Sequence, residues 1–423
     1  MSKDSQKYKA VNLDTTKCIG CINCMRRCPV RAIRVRDGKA AIDYDKCVFC
    51  GNCVRACPTH AIYTQTDGFD ELAKYKYNVA LLPSGLYGEF PHIYSPQLIL
   101  NSLKNIGFDH AFEVARAADV ITIITKEKFI MREFEETPVI SNVCPACVRL
   151  ILKNYPALVD NLMTLLPPFI LAGKMAREEA REKTGLKDSD IGVFYISPCP
   201  AKVEAIKNNF YGDDGGINGA IAVSEVCKRL NTVDKDDVVR TDDLVAGNMG
   251  IAWCTSGGQA ACIPNTKQLA VDGMGNVVSV LKELEDGKLN NIDFAELRAC
   301  HAGCVGGVLN ITNTFVAKSK IHTLRKSVLL NKTNCTDKFD KPLAFYSMPK
   351  KWETDDVYAL DKDIGKAMKI MSDIEDVLKR LPRLDCGVCG SPTCRSFAED
   401  VVKGDTELQK CVRYLKNDDD GTD

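Results

Sequence analysis

Between residues 77 and 350 short apolar runs alternate with stretches of helical spacing. Residues 78–83 (NVALLP), 138–142 (PVISN), 191–197 (IGVFYIS) and 294–299 (FAELRA) read as strands, and helical patterns follow most of them. This part of the chain is therefore expected to be an α/β domain. Residues 10–65 have a different texture, a repeat of 29 residues in which each half ends in a short hydrophobic segment, residues 32–35 and 61–63. Beyond the polar stretch 352–363, apolar spacing predicts a helix over residues 363–381. The expected organisation is three domains: 1–75, 76–350 and 351–423.

Composition narrows the class. A hydrophobic fraction of 45% is ample for a packed core. Lys plus Arg equals Asp plus Glu at 56 each, so no basic field is present for nucleic acid or anionic lipid. No apolar run reaches the roughly 18 to 20 residues of a membrane span, because residues 157–172 are broken by Asp160, Asn161, Pro167 and Pro168. No charged-apolar-small leader stands at Met1, and the acidic residues 418–420 read as a solvated end. A chain this long with 21 cysteines is no disulfide miniprotein, so a reducing compartment, the cytoplasm, is expected.

The cysteines fall into arrays. CIGCINCMRRCP places Cys18, Cys21, Cys24 and Cys28 in register with Cys47, Cys50, Cys53 and Cys57 of CVFCGNCVRACP. Each block is C-x2-C-x2-C-x3-C-P. Zinc needs only four ligands in two pairs, so this denser spacing favours 4Fe-4S cubanes. A second array, LDCGVCGSPTCRSF with a later cysteine, supplies Cys386, Cys389, Cys394 and Cys411. Glycines directly after Cys386 and Cys389 let the backbone wrap close to sulfur. This array reads as a small single-cluster 4Fe-4S domain, with a zinc knuckle as the alternative.

The middle of the chain holds a scattered set: SNVCPAC (Cys144), SPCPAKVEA (Cys199) and ELRACHAGCVGG (Cys300, Cys304). Each lies at the end of an expected strand, and Cys144, Cys199 and Cys304 are expected to begin helical segments. A helix N-terminus stabilises a thiolate through its free N–H groups and dipole. Convergence of the three loops would make a fourth cubane site. Cys227, Cys254, Cys262 and Cys335 lack partners at ligand spacing and read as ordinary buried thiols.

The N-terminal repeat closely resembles the two-cluster bacterial ferredoxins, in which the fourth cysteine of each block ligates the other cluster. Carried over, that resemblance groups Cys18, Cys21 and Cys24 with Cys57, and Cys47, Cys50 and Cys53 with Cys28. The three middle loops resemble the signature motifs of the FeFe hydrogenases: Cys144-Pro145, then Pro198-Cys199-Pro200-Ala201-Lys202, then Glu296 through Ala299-Cys300 and Cys304 to Gly306-Gly307. With both flanking cluster modules the resemblance covers nearly the whole chain. It implies an FeFe hydrogenase-like α/β catalytic domain, flanked by a small α+β two-cluster ferredoxin-like domain and a small helical iron-sulfur domain. It further implies an H-cluster: a cubane on Cys144, Cys199, Cys300 and Cys304, with Cys304 bridging to a two-iron subcluster bearing carbon monoxide, cyanide and a bridging dithiolate. Lys202 would hydrogen-bond a cyanide. Implied partners are dihydrogen and protons, a ferredoxin or another redox protein, and hydrogenase maturation proteins.

The chain also departs from that family. Where fast members carry a relay cysteine before the first-loop ligand, Val143 stands here, and a valine neither donates nor accepts a proton. The family's second-loop methionine is Ser197. The stretch resembling its relay helix, residues 118–125 (ADVITIIT), contains no glutamate, and the glycine pair of residues 253–261 (WCTSGGQAA) is followed by Gln259-Ala260 in place of Met-Glu. Three groups stand nearby as candidate substitutes: His301, Glu204 and Cys147. Retained ligands and lost relay groups together predict slow hydrogenase activity and a sensory or regulatory role, with a separate signalling partner. The alternative is an electron-transfer or cluster-assembly protein without the two-iron site.

Overall fold

The computed structural model describes residues 7–91, 94–236, 238–239, 243–330, 339–355, 357–361 and 363–414. Cys335 and the acidic residues 418–420 lie outside them. The chain folds into two compact units, one of residues 11–64 and 354–423, the other of residues 1–10 and 65–353.

In the first unit β1 (Val11–Leu13) pairs antiparallel with β4 (Ile62–Thr64), and β2 (Ile33–Arg36) pairs antiparallel with β3 (Lys39–Ile42). Asp37 and Gly38, both at positive φ (50° and 72°), make the two-residue turn whose twist suits a hairpin. Two short helices, Asn23–Arg27 and Asn52–Ala56, each follow a left-handed residue, Ile22 or Gly51, and are the structural expression of the sequence repeat. The predicted C-terminal helix is Ile364–Lys379, capped by the Asp363 side chain on the Lys366 N–H. It packs its apolar side on the helix Cys394–Val402 through Ile374, Leu381 and Phe397.

The terminal segments, read from the sequence as separate domains, thus share one unit. The reason lies in long-range contacts. Arg34 Nε and Arg36 Nη2 both reach Asp400 Oδ2 at 2.7 Å, Ser391 Oγ donates to the same oxygen at 2.6 Å, and the Val35 N–H donates to the Gly390 carbonyl at 2.9 Å. Helix Cys394–Val402 begins with Thr393, whose Oγ1 accepts from the Ser396 N–H at 3.1 Å. Thr393→Ala is expected to cost about 1 kcal/mol, seen as a drop of a few degrees in the unfolding midpoint of this unit by circular dichroism.

The second unit holds two parallel sheets. One has the order β6-β5-β8-β9, from His110–Glu113, Tyr77–Leu82, Ile191–Ser197 and Gly219–Ala222. The other has the order β10-β11-β7, from Gln268–Asp272, Phe294–Arg298 and Val139–Ile140. All seven residues of β8 are buried, as expected of a parallel strand covered on both faces. Three of these strands escape the sequence reading: β6, β9 and β10. In β6 both ionisable residues are buried and paired, His110 with Glu179 at 3.0 Å and Glu113 with the Tyr87 hydroxyl at 2.9 Å. No described helix is long and apolar enough to cross a membrane.

Candidate functional site

The three cysteine loops leave β7, β8 and β11 at their C-terminal ends. Cys144 and Cys199 are the N-cap residues of helices Pro145–Asn154 and Pro200–Lys207, each with proline at the first helical position. Cys304 opens only a 3-10 turn, Cys304–Gly306, instead of the expected longer helical segment. The third loop must turn tightly, and Gly303 sits at φ 93°, where a Cβ would stand 2.6 Å from the Ser256 nitrogen. At Gly307 a Cβ would stand 2.2 Å from the Pro198 carbonyl oxygen. These glycines let the third loop lie against the 253–256 segment and the second loop, where the Leu309 N–H also donates to Pro198 O at 3.0 Å.

The four loop thiols share one electrostatic neighbourhood. Burial pushes the Cys199 thiol up to about 12, Lys202 opposes the shift, and Cys304 and Cys144 add to it. Cys144 is held down to about 6, first by a hydrogen bond with the Cys147 thiol, and also by the Ala299 N–H and the charge of Arg298. Cys147, fully buried, feels both Cys144 and Cys300. Among the described residues no three His, Cys, Asp or Glu side chains are grouped at the spacing of a single metal ion.

Beside Cys304 lies a partly open cavity. Its wall is mostly apolar and includes Pro83, Val143, Phe169, Pro198 and Trp253. Lys202 reaches into it from the first turn of helix Pro200–Lys207, its Nζ donating to Tyr195 Oη at 3.0 Å and standing 3.8 Å from Cys304 Sγ. Burial alone would lower the Lys202 ammonium, but Cys304, Tyr195 and Cys199 outweigh it and raise its pKa, so a cation is held in an otherwise apolar pocket. Val143 is buried and lines the same cavity, presenting methyl groups there. The helix Val114–Met131, which contains residues 118–125, contributes Val114, Ala115 and Ala118, while Asp119 accepts from the Gly247 and Gly250 N–H groups and so caps the helix Asn248–Ala252.

The candidate relay substitutes separate clearly. His301 is exposed and turned to Asp272, Nδ1 to Oδ1 3.4 Å. Glu204 forms a buried ion pair with Arg149 and accepts from Asn208 Nδ2 at 2.8 Å. Only Cys147 touches a loop thiol. His301→Ala, a surface substitution, is accordingly expected to change folding stability by less than about 0.5 kcal/mol, read from the thermal unfolding midpoint by circular dichroism. Of the four cysteines read as ordinary buried thiols, Cys227, Cys254 and Cys262 are buried, but Cys254 also lines the cavity, donating to Ile251 O at 3.3 Å.

Two further residues were not singled out from the sequence. Tyr195 anchors Lys202 from a strand that reads as uniformly apolar. Arg298 is 1% exposed, although a charge near a strand end reads as solvent-facing.

In the first unit, one cavity is lined by Cys18, Cys21, Cys24 and Cys57. Cys28 instead neighbours Cys50, Cys53 and Cys47: it is among the charges that raise Cys50 and Cys53, after the dominant effect of burial. Cys389 is raised first by burial, with Cys411 and Cys386 adding to it, and Cys394 packs into the same apolar cluster.

Comparisons with known proteins agree with this geometry. Residues 86–236 match the C-terminal domain of the iron only hydrogenase large subunit, residues 10–58 match a 4Fe-4S dicluster domain, and residues 381–413 match a putative Fe-S cluster domain. The chain is 23% identical over 282 residues to iron hydrogenase 1 of Clostridium pasteurianum, covering 55% of this chain and 49% of that protein. It is 24% identical over 151 residues to the cytosolic Fe-S cluster assembly factor NAR1 of Candida dubliniensis, covering 35% and 25%. The match to the NADP-reducing hydrogenase subunit HndD of Solidesulfovibrio fructosivorans is 22% over 258 residues, covering 49% and 44%. The chain thus spans half or less of the length of these curated relatives. A solved structure of the FeFe hydrogenase HydA1 from Chlamydomonas reinhardtii superposes with a TM-score of 0.52 at 15% identity, covering 68% of this chain and 98% of that one. This shows the fold.

Proposed function

We propose that this relative of the iron-only hydrogenases is an FeFe hydrogenase-like protein that holds an H-cluster and splits dihydrogen slowly, in a sensory or regulatory role. The observation that carries the reading is the cavity beside Cys304, with the Lys202 ammonium held inside it by Tyr195. A bare cubane needs no such pocket or cation. The four loop thiols are the groups that would hold the cubane, with Cys304 shared between it and the cavity.

The chemistry of the donor set fits. Thiolates at helix starts suit iron, and an ammonium in an apolar pocket suits the anionic end of a cyanide, a charge-assisted contact. When bound, a two-iron unit supplies an open iron and an amine base for dihydrogen. The chain's own contribution is positional. Lys202 and Tyr195 would orient that unit, Phe169, Pro83 and Trp253 would exclude water, and Val143 offers no proton carrier at its own position. Electrons would pass through cubanes on the two terminal cysteine arrays to a ferredoxin or another redox protein.

A second reading is an electron-transfer or cluster-assembly protein without the two-iron unit. It is favoured by Val143 and by the similarity to NAR1 over 35% of the chain. The two readings differ in a direct assay. After loading with a synthetic two-iron complex, exchange of deuterium gas with water protons is expected at a low rate. Fully loaded protein with no exchange would refute dihydrogen splitting, and protein that retains none of the two-iron complex would leave only the second reading.

A further inference from the structure

Arg298 is a buried cation beside the third cysteine loop. Among the described residues it is one of the largest side chains buried to under 2% exposure, and it ends β11 two residues before Cys300. Its Nε donates to Glu296 Oε1 at 2.9 Å and its Nη2 to the Trp253 carbonyl at 3.1 Å. The Glu296 carboxylate is already engaged by the Gly257 N–H at 3.2 Å and the Ala260 N–H at 2.9 Å. The remaining guanidinium nitrogen, Nη1, is buried with no hydrogen-bond partner. A buried cationic donor left without an acceptor is disfavoured, so its persistence points to an acceptor that joins after folding.

The surroundings identify that acceptor. The Ala299 N–H, one residue on, bonds the Cys144 sulfur, and the charge of Arg298 acts on that thiol. The Trp253 carbonyl that holds Nη2 belongs to the segment that lines the cavity with Cys304, and Cys304 and Cys144 are both charge neighbours of the guanidinium. We propose that Arg298 Nη1 donates a hydrogen bond to a sulfur of the cubane held by Cys144, Cys199, Cys300 and Cys304, and thereby raises that cubane's reduction potential. A cubane on four thiolates is anionic and gains a negative charge on reduction, so a fixed N–H donor and cation favour the reduced form. Arginine suits the task because its planar fork binds Glu296 and Trp253 while leaving one nitrogen free.

The inference rests on the four thiols holding a cubane, but it needs neither the two-iron unit nor dihydrogen activity. The test therefore uses the full chain carrying cubanes only. The middle-domain signal is identified as the electron paramagnetic resonance component lost in Cys300→Ser, and it is titrated against potential in wild type, Arg298→Met and Arg298→Lys. Arg298→Met is expected to lower the reduced-to-oxidised ratio at fixed poise about tenfold, equivalent to about 59 mV for one electron. Iron content and the other cubanes should be unchanged, and Arg298→Lys should recover part of the shift. A fully loaded Arg298→Met with an unshifted midpoint would overturn the proposal. If that variant does not fold, wild-type protein grown with nitrogen-15 arginine answers the question. An arginine nitrogen coupling on the reduced middle-domain component is expected, and its absence would equally overturn the proposal. Lack of any component sensitive to Cys300→Ser would instead refute the cubane reading itself.

Discussion

Lys202→Met is expected to leave the four loop thiols able to hold iron, while weakening retention of the two-iron unit about 10- to 100-fold, the range for losing a partner that orients a metal site. The substitution keeps most of the length and the apolar stem of the side chain, but the contacts that Nζ makes with the Phe169 ring and with Tyr195 are lost. It removes the ammonium that stands 3.8 Å from Cys304 Sγ and 3.0 Å from Tyr195 Oη. A cation in the first turn of a helix opposes the helix dipole. Here Cys304, Tyr195 and Cys199 compensate for that placement, and a bound cyanide would add to them. Iron per protein after gel filtration reports both pools, four-iron and two-iron. Lys202→Arg should restore part of the retention. Equal retention in wild type and Lys202→Met would mean that Lys202 is not a clamp.

The second large effect is a gain. Val143→Cys is expected to raise dihydrogen turnover by roughly 100-fold, the lower end of what a positioned proton-transfer group contributes. Val143 is buried and lines the cavity, so a thiol placed there would face the space beside Cys304. Valine and cysteine are close in volume, and such swaps cost less than about 1.5 kcal/mol. The helix Val114–Met131 offers no glutamate over residues 118–125 to carry the proton onward, which keeps the expected gain at the lower end. An unchanged rate in fully loaded protein would show that some other step is limiting.

The loops that define the site were legible because their chemistry is local. Cys144, Cys199, Cys300 and Cys304 each follow a strand end within a few residues, and the spacing around them survives in one dimension. Strand β8 was legible for a related reason, since seven consecutive apolar or small residues can be covered only on both faces. Strand β6 was not, because His110 and Glu113 look solvent-facing until Glu179 and Tyr87 are brought to them by folding. The same holds for Arg298, whose burial depends on Glu296 at one side and the Trp253 carbonyl, 45 residues away, at the other. The union of the terminal modules was hidden for the most physical of reasons. It rests on Arg34 and Arg36 meeting Asp400, a pairing across more than 360 residues that no local pattern encodes.

Infrared spectroscopy of the full chain, loaded with cubanes and then with a synthetic two-iron complex, tests the central claim most directly. Carbon monoxide and cyanide bands are expected to persist after gel filtration, with a cyanide band that shifts or is lost in Lys202→Met. If every cubane is present and no such bands remain, the cavity beside Cys304 does not hold a two-iron unit, and the hydrogenase-like reading falls.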